Sequence, residues 1–152
     1  MDEKKFFSLL RQLNELEKNK NTETPILNRA GRILSFDSEA SDMLLDSMLT
    51  IRNNFHFSER QEYIDLAKDF LADQITADDF SSAFMGIYEG IEQQVAQMEK
   101  DESLELTNFL KTSQSELGDL LSQIYGTCDC FGIISDEKEL KDCAQILLLK
   151  LQ

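Results

Sequence analysis

Residues 63–80 read Tyr63-Ile64-Asp65-Leu66-Ala67-Lys68-Asp69-Phe70-Leu71-Ala72-Asp73-Gln74-Ile75-Thr76-Ala77-Asp78-Asp79-Phe80, and this stretch decides the fold. Tyr63, Leu66, Ala67 and Phe70 recur at steps of three and four, the period of a helix with one buried face. That helix is expected to end at Asp73-Gln74. Thr76 then stands in an N-cap position with Asp79 three residues on, a capping-box spacing. Asp78 and Asp79 fall in the first turn, where the helix dipole favours acids. The new helix continues through Phe80, Phe84, Ile87, Ile91, Val95 and Met98, again at steps of four or three. Two long amphipathic helices joined by a few residues must fold back on each other to bury those faces.

The same period extends in both directions. Ser58, with Gln61 three residues on, is read as the cap of the first of these helices. Upstream, Leu44, Leu45, Met48 and Leu49 mark a helix from near Ser38 to Asn53-Asn54. Phe6, Leu9, Leu10, Leu13 and Leu16 mark another, fraying between Asn19 and Thr24. Residues 26–36, with Gly31 in their middle, fit a short helix or an extended linker. Downstream, one helix is expected to hold Leu106, Phe109, Leu110, Leu117, Leu120, Leu121 and Ile124 and to stop at Gly126. Asp136, with Glu139 three residues on, opens the last helix, striped by Leu140, Cys143, Ala144, Leu147, Leu148 and Leu151. Phe131 to Ile134 is the one strand candidate. The expectation is an all-α protein. An antiparallel four-helix bundle would run from about Ser58 to Leu151, with one or two extra helices in residues 1–54. Residues 1–54 form an N-terminal extension and 55–152 the bundle domain, together one compact unit.

Charge is the second signal. The 152 residues carry a net charge of −14. Residues 1–32 hold seven Lys/Arg and five Asp/Glu, whereas residues 33–152 hold eight against 24. Between Lys68 and Lys100 seven acids stand with no base: Asp69, Asp73, Asp78, Asp79, Glu89, Glu92 and Glu99. Between Lys111 and Lys138 stand Glu116, Asp119, Asp129, Asp136 and Glu137, again with no base. Helices ordinarily mix signs, because opposite charges three or four apart stabilise them and like charges repel. Such a field suits a basic partner and disfavours nucleic acid or an anionic membrane. No apolar run approaches the roughly 20 residues of a membrane span. The N-terminus lacks the basic start and apolar middle of a secretory signal. With three cysteines, an odd number, the expectation is a reduced, cytoplasmic setting.

Chemistry-bearing motifs are sparse. His56, between Phe55 and Phe57, is read as lying in a turn before a helix, without the positioned partner that acid–base catalysis needs. Cys128-Asp129-Cys130, with Cys143, offers sulfur to zinc but lacks the Cys-x2-Cys spacing and the fourth ligand of structural sites. The other reading places Cys128 and Cys130 as small loop residues, at least one of them buried. Gly86 and Gly90, four apart, suit close helix packing or a functional notch. Glu89 and Glu92 would suit a metal in a bundle core, but the Glu-x-x-His motif is missing. The expectation is a protein with no catalytic residues, no cofactor, no metal and no enzymatic activity.

Leu66, Ala67, Phe70, Leu71, Ile75, Thr76, Ala77 and Phe80 resemble the opening of the colicin D immunity family, which has a Leu-Ala-x-x-Phe-Leu helix end followed by an Ile-Thr-Ala-x-x-Phe helix start. The later Glu116-Leu117-Gly118-Asp119-Leu120-Leu121, the aromatic and acidic loop from Tyr125 to Phe131 and the closing helix from Asp136 to Leu151 are similar too. The resemblance covers about residues 58–151. It implies a small helical bundle that binds the nuclease domain of a toxin, a tRNase in the archetype, and blocks its basic substrate groove with acids. It identifies no individual binding residue.

The charge pattern itself points to exposed acids of the base-free segments: Asp78, Asp79, Glu89, Glu92, Glu116, Asp119 and Asp129. Asp136 and Glu137 are weaker candidates, because Glu137 can pair with Lys141 one turn on. Two classes of function follow. One is an immunity or antitoxin-like inhibitor that covers a basic nuclease toxin domain. The other is a helical adaptor docking through residues 1–54, with Phe55-His56-Phe57 as an exposed aromatic cluster. Either fits a monomer or a homodimer in the free state.

Overall fold

A computed structural model describes residues 2–19, 33, 36–111 and 114–152. The protein is all-α. Its α-helices are α1 (Glu3–Asn19), α2 (Ser38–Ser58), α3 (Arg60–Leu71), α4 (Ala77–Lys100), α5 (Ser115–Asp129) and α6 (Glu137–Leu151), with a 3-10 helix at Leu104–Phe109. Among the described residues there is no strand; the candidate near Phe131 is a turn closed by an isolated bridge between Phe131 and Ser135. No described helix is long and apolar enough to cross a membrane.

The turn between α3 and α4 forms as its sequence dictates. Thr76 accepts from the Asp79 N–H at 3.1 Å, and Asp79 accepts from the Thr76 N–H at 3.2 Å. Asp73 takes the left-handed conformation (φ 56°) that ends α3, tolerable for a short polar side chain. Lys141 of α6 reaches this helix end, donating to the Phe70 carbonyl and pairing with Asp73 at 2.7 Å. A cation there also meets the negative end of the α3 dipole. Lys141 is therefore turned toward α3 rather than toward Glu137, the partner expected from spacing alone.

The apolar stripes meet in one core. Phe70 and Phe80 stack at 4.5 Å across the turn, and Phe84 continues the cluster to Tyr63 at 5.2 Å. Ala67, Leu121, Leu140, Ala144 and Leu147 are fully buried around them. α3 packs on α4 and α6, and α5 on α4 and α6. α2 lies across α4 and α5, and α1 lies on α2. The α1 stripe of Phe6, Leu9, Leu10 and Leu13 belongs to this core.

Five helix boundaries differ from the expected ones. α2 does not stop at Asn53-Asn54 but runs to Ser58, across the boundary set between residues 54 and 55. Both asparagines are buried: Asn54 donates to the Phe109 carbonyl at 2.7 Å, and Asn53 faces Gly118 of α5. A polar side chain with a tertiary partner no longer competes with its own helix. Ser58 is consequently not an N-cap. Its hydroxyl donates back to the Phe55 carbonyl, and α3 starts from Glu59 without a side-chain cap. α3 also ends earlier than Asp73-Gln74, at Leu71. The helix expected over 106–124 is two elements, because the Thr/Ser-rich stretch before Leu117 has low helix propensity. Gly126 does not stop α5, since Cys128 continues the buried series Leu117, Leu121, Ile124. The readings of residues 20–32 and 34–35 lie outside the described residues. Ile33 is buried and its N–H donates to Ser41 Oγ at 2.8 Å.

Candidate functional site

The polar residues that the helices bring together form a chain along the α2–α4 contact. Met48, Arg52 and His56 are four apart on α2. Tyr88, Glu92 and Glu99 share the facing side of α4, Glu92 about one turn and Glu99 about three turns after Tyr88. His56 is 2% exposed, so it lies in no surface turn, and Phe55 beside it is also buried. Its Nε2 is 2.8 Å from Glu92 Oε1 and its Nδ1 is 2.9 Å from the Tyr63 hydroxyl. A carboxylate only accepts, so Nε2–H donates to Glu92, while the Tyr63 hydroxyl can either donate to Nδ1 or accept from it. The ring stacks on Tyr88 at 4.7 Å. Glu92 Oε2 takes Arg52 Nε at 3.1 Å, and Arg52 Nη1 lies 2.5 Å from Glu99 Oε1. From α1, the Asn14 amide donates to the Glu99 carbonyl at 3.0 Å.

Electrostatics divides this chain. Burial, and then the charges of Tyr88 and Glu92, hold the Tyr63 phenol well above its ordinary value. Burial would also raise the Glu92 carboxyl, but the His56 hydrogen bond and the Arg52 charge outweigh it and hold Glu92 below the usual range. Glu99 goes the other way: burial dominates, and Arg52 does not fully offset it. No nucleophile stands near. Burial pushes the Cys128 thiol up to about 12 and also raises that of Cys143. Thiols so raised are thiols rather than reactive thiolates at neutral pH. Cys128 is buried in α5, while Cys130 and Cys143 are half-buried. Among the described residues no group of three or more His, Cys, Asp or Glu is placed to hold a metal.

The candidate acids take several roles. Asp78, at the start of α4, is exposed. Asp79 is exposed but holds the Thr76 cap. Glu89 is exposed and accepts from the Tyr125 hydroxyl, the bond that, above all else, pushes that phenol up to about 12. Asp129 is exposed at the end of α5, near enough to add to the same effect. Glu92 is not an exposed acid; it is half-buried and fully engaged with His56 and Arg52. Glu116 and Asp119 are exposed in the first turns of α5, with Lys150 of α6 at 3.5 Å from Glu116. Asp136 accepts from the Glu139 N–H as the cap of α6, and Glu137 is exposed.

These acids do not form one patch. Ser81 lies near enough to Cys128 to act on its thiol, so the start of α4 lies beside the end of α5. Asp78 and Asp129 share that end, with Glu89 and Tyr125 just along it. Glu116 lies 13 residues before Asp129 on the same helix, roughly 20 Å away at 1.5 Å per residue. Gly86 and Gly90 also depart from the close-packing reading. A Cβ at either would meet nothing within 4 Å, and both face an open groove bordered by Glu59 and Glu62.

The sequence missed Arg52, Tyr63, Tyr88 and Glu99. The four-residue spacing of Arg52 with His56 and of Tyr88 with Glu92 was a visible signal, but nothing in it said that the two faces meet. The residues that carry the family resemblance serve the fold here: Ala67, Phe70, Ala77 and Phe80 are buried, and Thr76 caps α4. Compared with family models, with curated proteins and with solved structures, the chain finds no match in any of the three.

Proposed function

We propose that this chain is an immunity-type inhibitor, a cytoplasmic binding protein without turnover that covers the basic groove of a nuclease toxin domain. In the archetype of the family it resembles, that target is a tRNase. Under this reading α3 to α6 are the antiparallel four-helix bundle of the family, each helix touching the next and α6 returning to α3. The observation that carries the reading is the exposed acid set of α4 and α5, Asp78, Glu89, Asp129, Glu116 and Asp119, on segments that contain no Lys or Arg between residues 69 and 99 or between 112 and 137. A face that needed only solubility would mix both signs. A one-signed face accelerates association with a basic target and rejects acidic ones. The adaptor reading draws less support. The apolar stripe of α1 is already buried against the chain, and so is His56 with Phe55. Among the described residues of this segment, Leu49 is the one large apolar side chain left exposed.

The test is capture of partners from the source cell's lysate at low salt, followed by a high-salt wash and mass spectrometry. The expected result is a basic nuclease domain that elutes with salt and whose cleavage activity is abolished by one equivalent of this protein. A salt-resistant partner without nuclease character would overturn the reading.

A further inference from the structure

We propose that the cavity between α1, α2 and α4 is a binding site for a small organic monocation, an alkylguanidinium or alkylammonium group, with the Glu99 carboxylate as its counter-ion. The site goes beyond the inhibitor reading and does not depend on it. The cavity measures about 140 Å³ and is lined by Leu10 and Asn14 from α1, Met48 and Arg52 from α2, and Ala96 and Glu99 from α4. Glu17 and Lys100, both exposed, complete its rim.

Three observations point to a cation. First, Glu99 is 4% exposed, and its Oε2, out of contact with solvent, has no hydrogen-bond partner. A buried carboxylate oxygen without a donor costs free energy that a donor entering the cavity would recover. Second, Glu99 does not have its cation to itself. Arg52 of α2 lies between Glu92 and Glu99 of α4, one guanidinium shared by two carboxylates. Glu17 from α1 adds a negative charge at the rim and Lys100 from α4 a positive one. Burial outweighs Arg52 and raises the Glu99 carboxyl, so Glu99 is driven to take a proton or to meet a second cation. Third, Asn14 lines the same cavity and commits its amide N–H groups to the carbonyls of Glu99 and Lys100, so that what it can offer a ligand is the acceptor Oδ1.

Size and lining narrow the ligand. At about 30 Å³ per water, the cavity holds four or five water-sized groups. That suits a guanidinium or ammonium head with a short methylene stem and excludes nucleotides, whose pockets start near 300 Å³. Leu10 and Met48 would line the stem, while Glu99 Oε2 and Asn14 Oδ1 accept from the head. A hard divalent ion would want six or more oxygens, which these residues do not supply.

The test is an amide-resolved NMR titration of the full chain with methylguanidinium chloride. Sodium chloride and tetramethylammonium chloride at equal ionic strength are the controls, the latter being a cation with no N–H to donate. The expected result is saturable shifts at the amides of Asn14, Ala96 and Glu99 with methylguanidinium only. Binding should tighten as pH rises through the Glu99 titration, since the cation replaces a proton. Glu99→Gln should weaken it about tenfold or more, the loss of one hydrogen bond to a charged group. A parallel titration with N-acetyl-arginine-N-methylamide separates the two sources of this chemistry. Comparable or tighter binding assigns the site to a partner's arginine side chain; binding of methylguanidinium alone assigns it to a free small cation. Shifts equal to those of the two control salts would overturn the proposal on the wild-type protein alone, and an unchanged affinity in a folded Glu99→Gln variant would overturn the role of Glu99.

Discussion

At the scale of single residues, Glu92 and Glu99 respond to the same Arg52 with opposite results, and the difference sets two opposed pH dependences. Glu92 is held below its ordinary value, so its stabilising contribution is present above the unfolded-state pKa and is lost as pH falls through the depressed folded value. Glu99 is raised, so its contribution is present below the unfolded-state pKa and is lost as pH rises through the raised folded value. Glu92→Gln is expected to lower stability at neutral pH by about 1–3 kcal/mol, because Arg52 loses a carboxylate and the Nε2–H of His56 a charged acceptor. It should also flatten the loss of stability in acid. Glu99→Gln is expected to remove the decline toward neutral pH instead. Urea midpoints taken from about pH 3 to about pH 8 separate the two; parallel curves for the two variants would show that Arg52 treats its partners alike. Neither role was legible in the sequence. An acid in a base-free run looks exposed until a facing helix is known to bring Arg52 to it, and a lone histidine beside two phenylalanines looks like a loop for the same reason.

At the scale of the element, local chemistry was legible wherever no tertiary contact competed with it. Thr76 with Asp79 and Asp136 with Glu139 are caps in sequence and in structure. Thr76→Ala should therefore cost about 1 kcal/mol, measurable by urea unfolding. Asn53, Asn54 and Gly126 carried equally clear stop signals that the packing of α2 and α5 overrides. The glycines of α4 and α5 make this difference testable. Gly86 sits mid-helix with open space where a Cβ would be, so Gly86→Ala should stabilise the protein by about 0.5–1 kcal/mol and raise its Tm by about 1–4 °C. In Gly118 the same Cβ would fall 2.1 Å from Asn53 Oδ1. Gly118→Ala should cost about 1–3 kcal/mol as the buried Asn53 side chain or α5 gives way. Thermal melts of the two variants shifting in the same direction would contradict the packing of α5 on α2.

At the scale of the whole molecule, the sequence showed how much negative charge the chain carries and that it is helical, but not where the acids lie relative to one another. That arrangement depends on which helices are neighbours, which period alone does not specify. It bears on how the chain can be cut and how its partner can be found. A truncation at residue 54 would sever α2 within its last turn or so and strip Leu44 and Ile51 from the core. Even removal of α1 takes Phe6, Leu9, Leu10 and Leu13 out of the core, at about 1.5–3 kcal/mol each. That sum matches a typical total stability of about 5–15 kcal/mol, so the shortened chain is expected to lose its cooperative melt by circular dichroism. Point reversals are the sounder probe of function. Asp79 is unsuitable, since its reversal also breaks the Thr76 cap. Asp78→Lys, Glu89→Lys and Asp129→Lys change one end of the α4–α5 face, and Glu116→Lys with Asp119→Lys change the other. A nuclease domain of ordinary footprint, about 800 Å² on each side, can span the roughly 20 Å between them. If it does, each set should slow association about tenfold or more and reduce its salt dependence, and the two sets should combine. If only the first set matters, the partner is centred on Tyr125 and its acids. If neither does, the acidic face is a solvated surface and the inhibitor reading loses the observation that carries it.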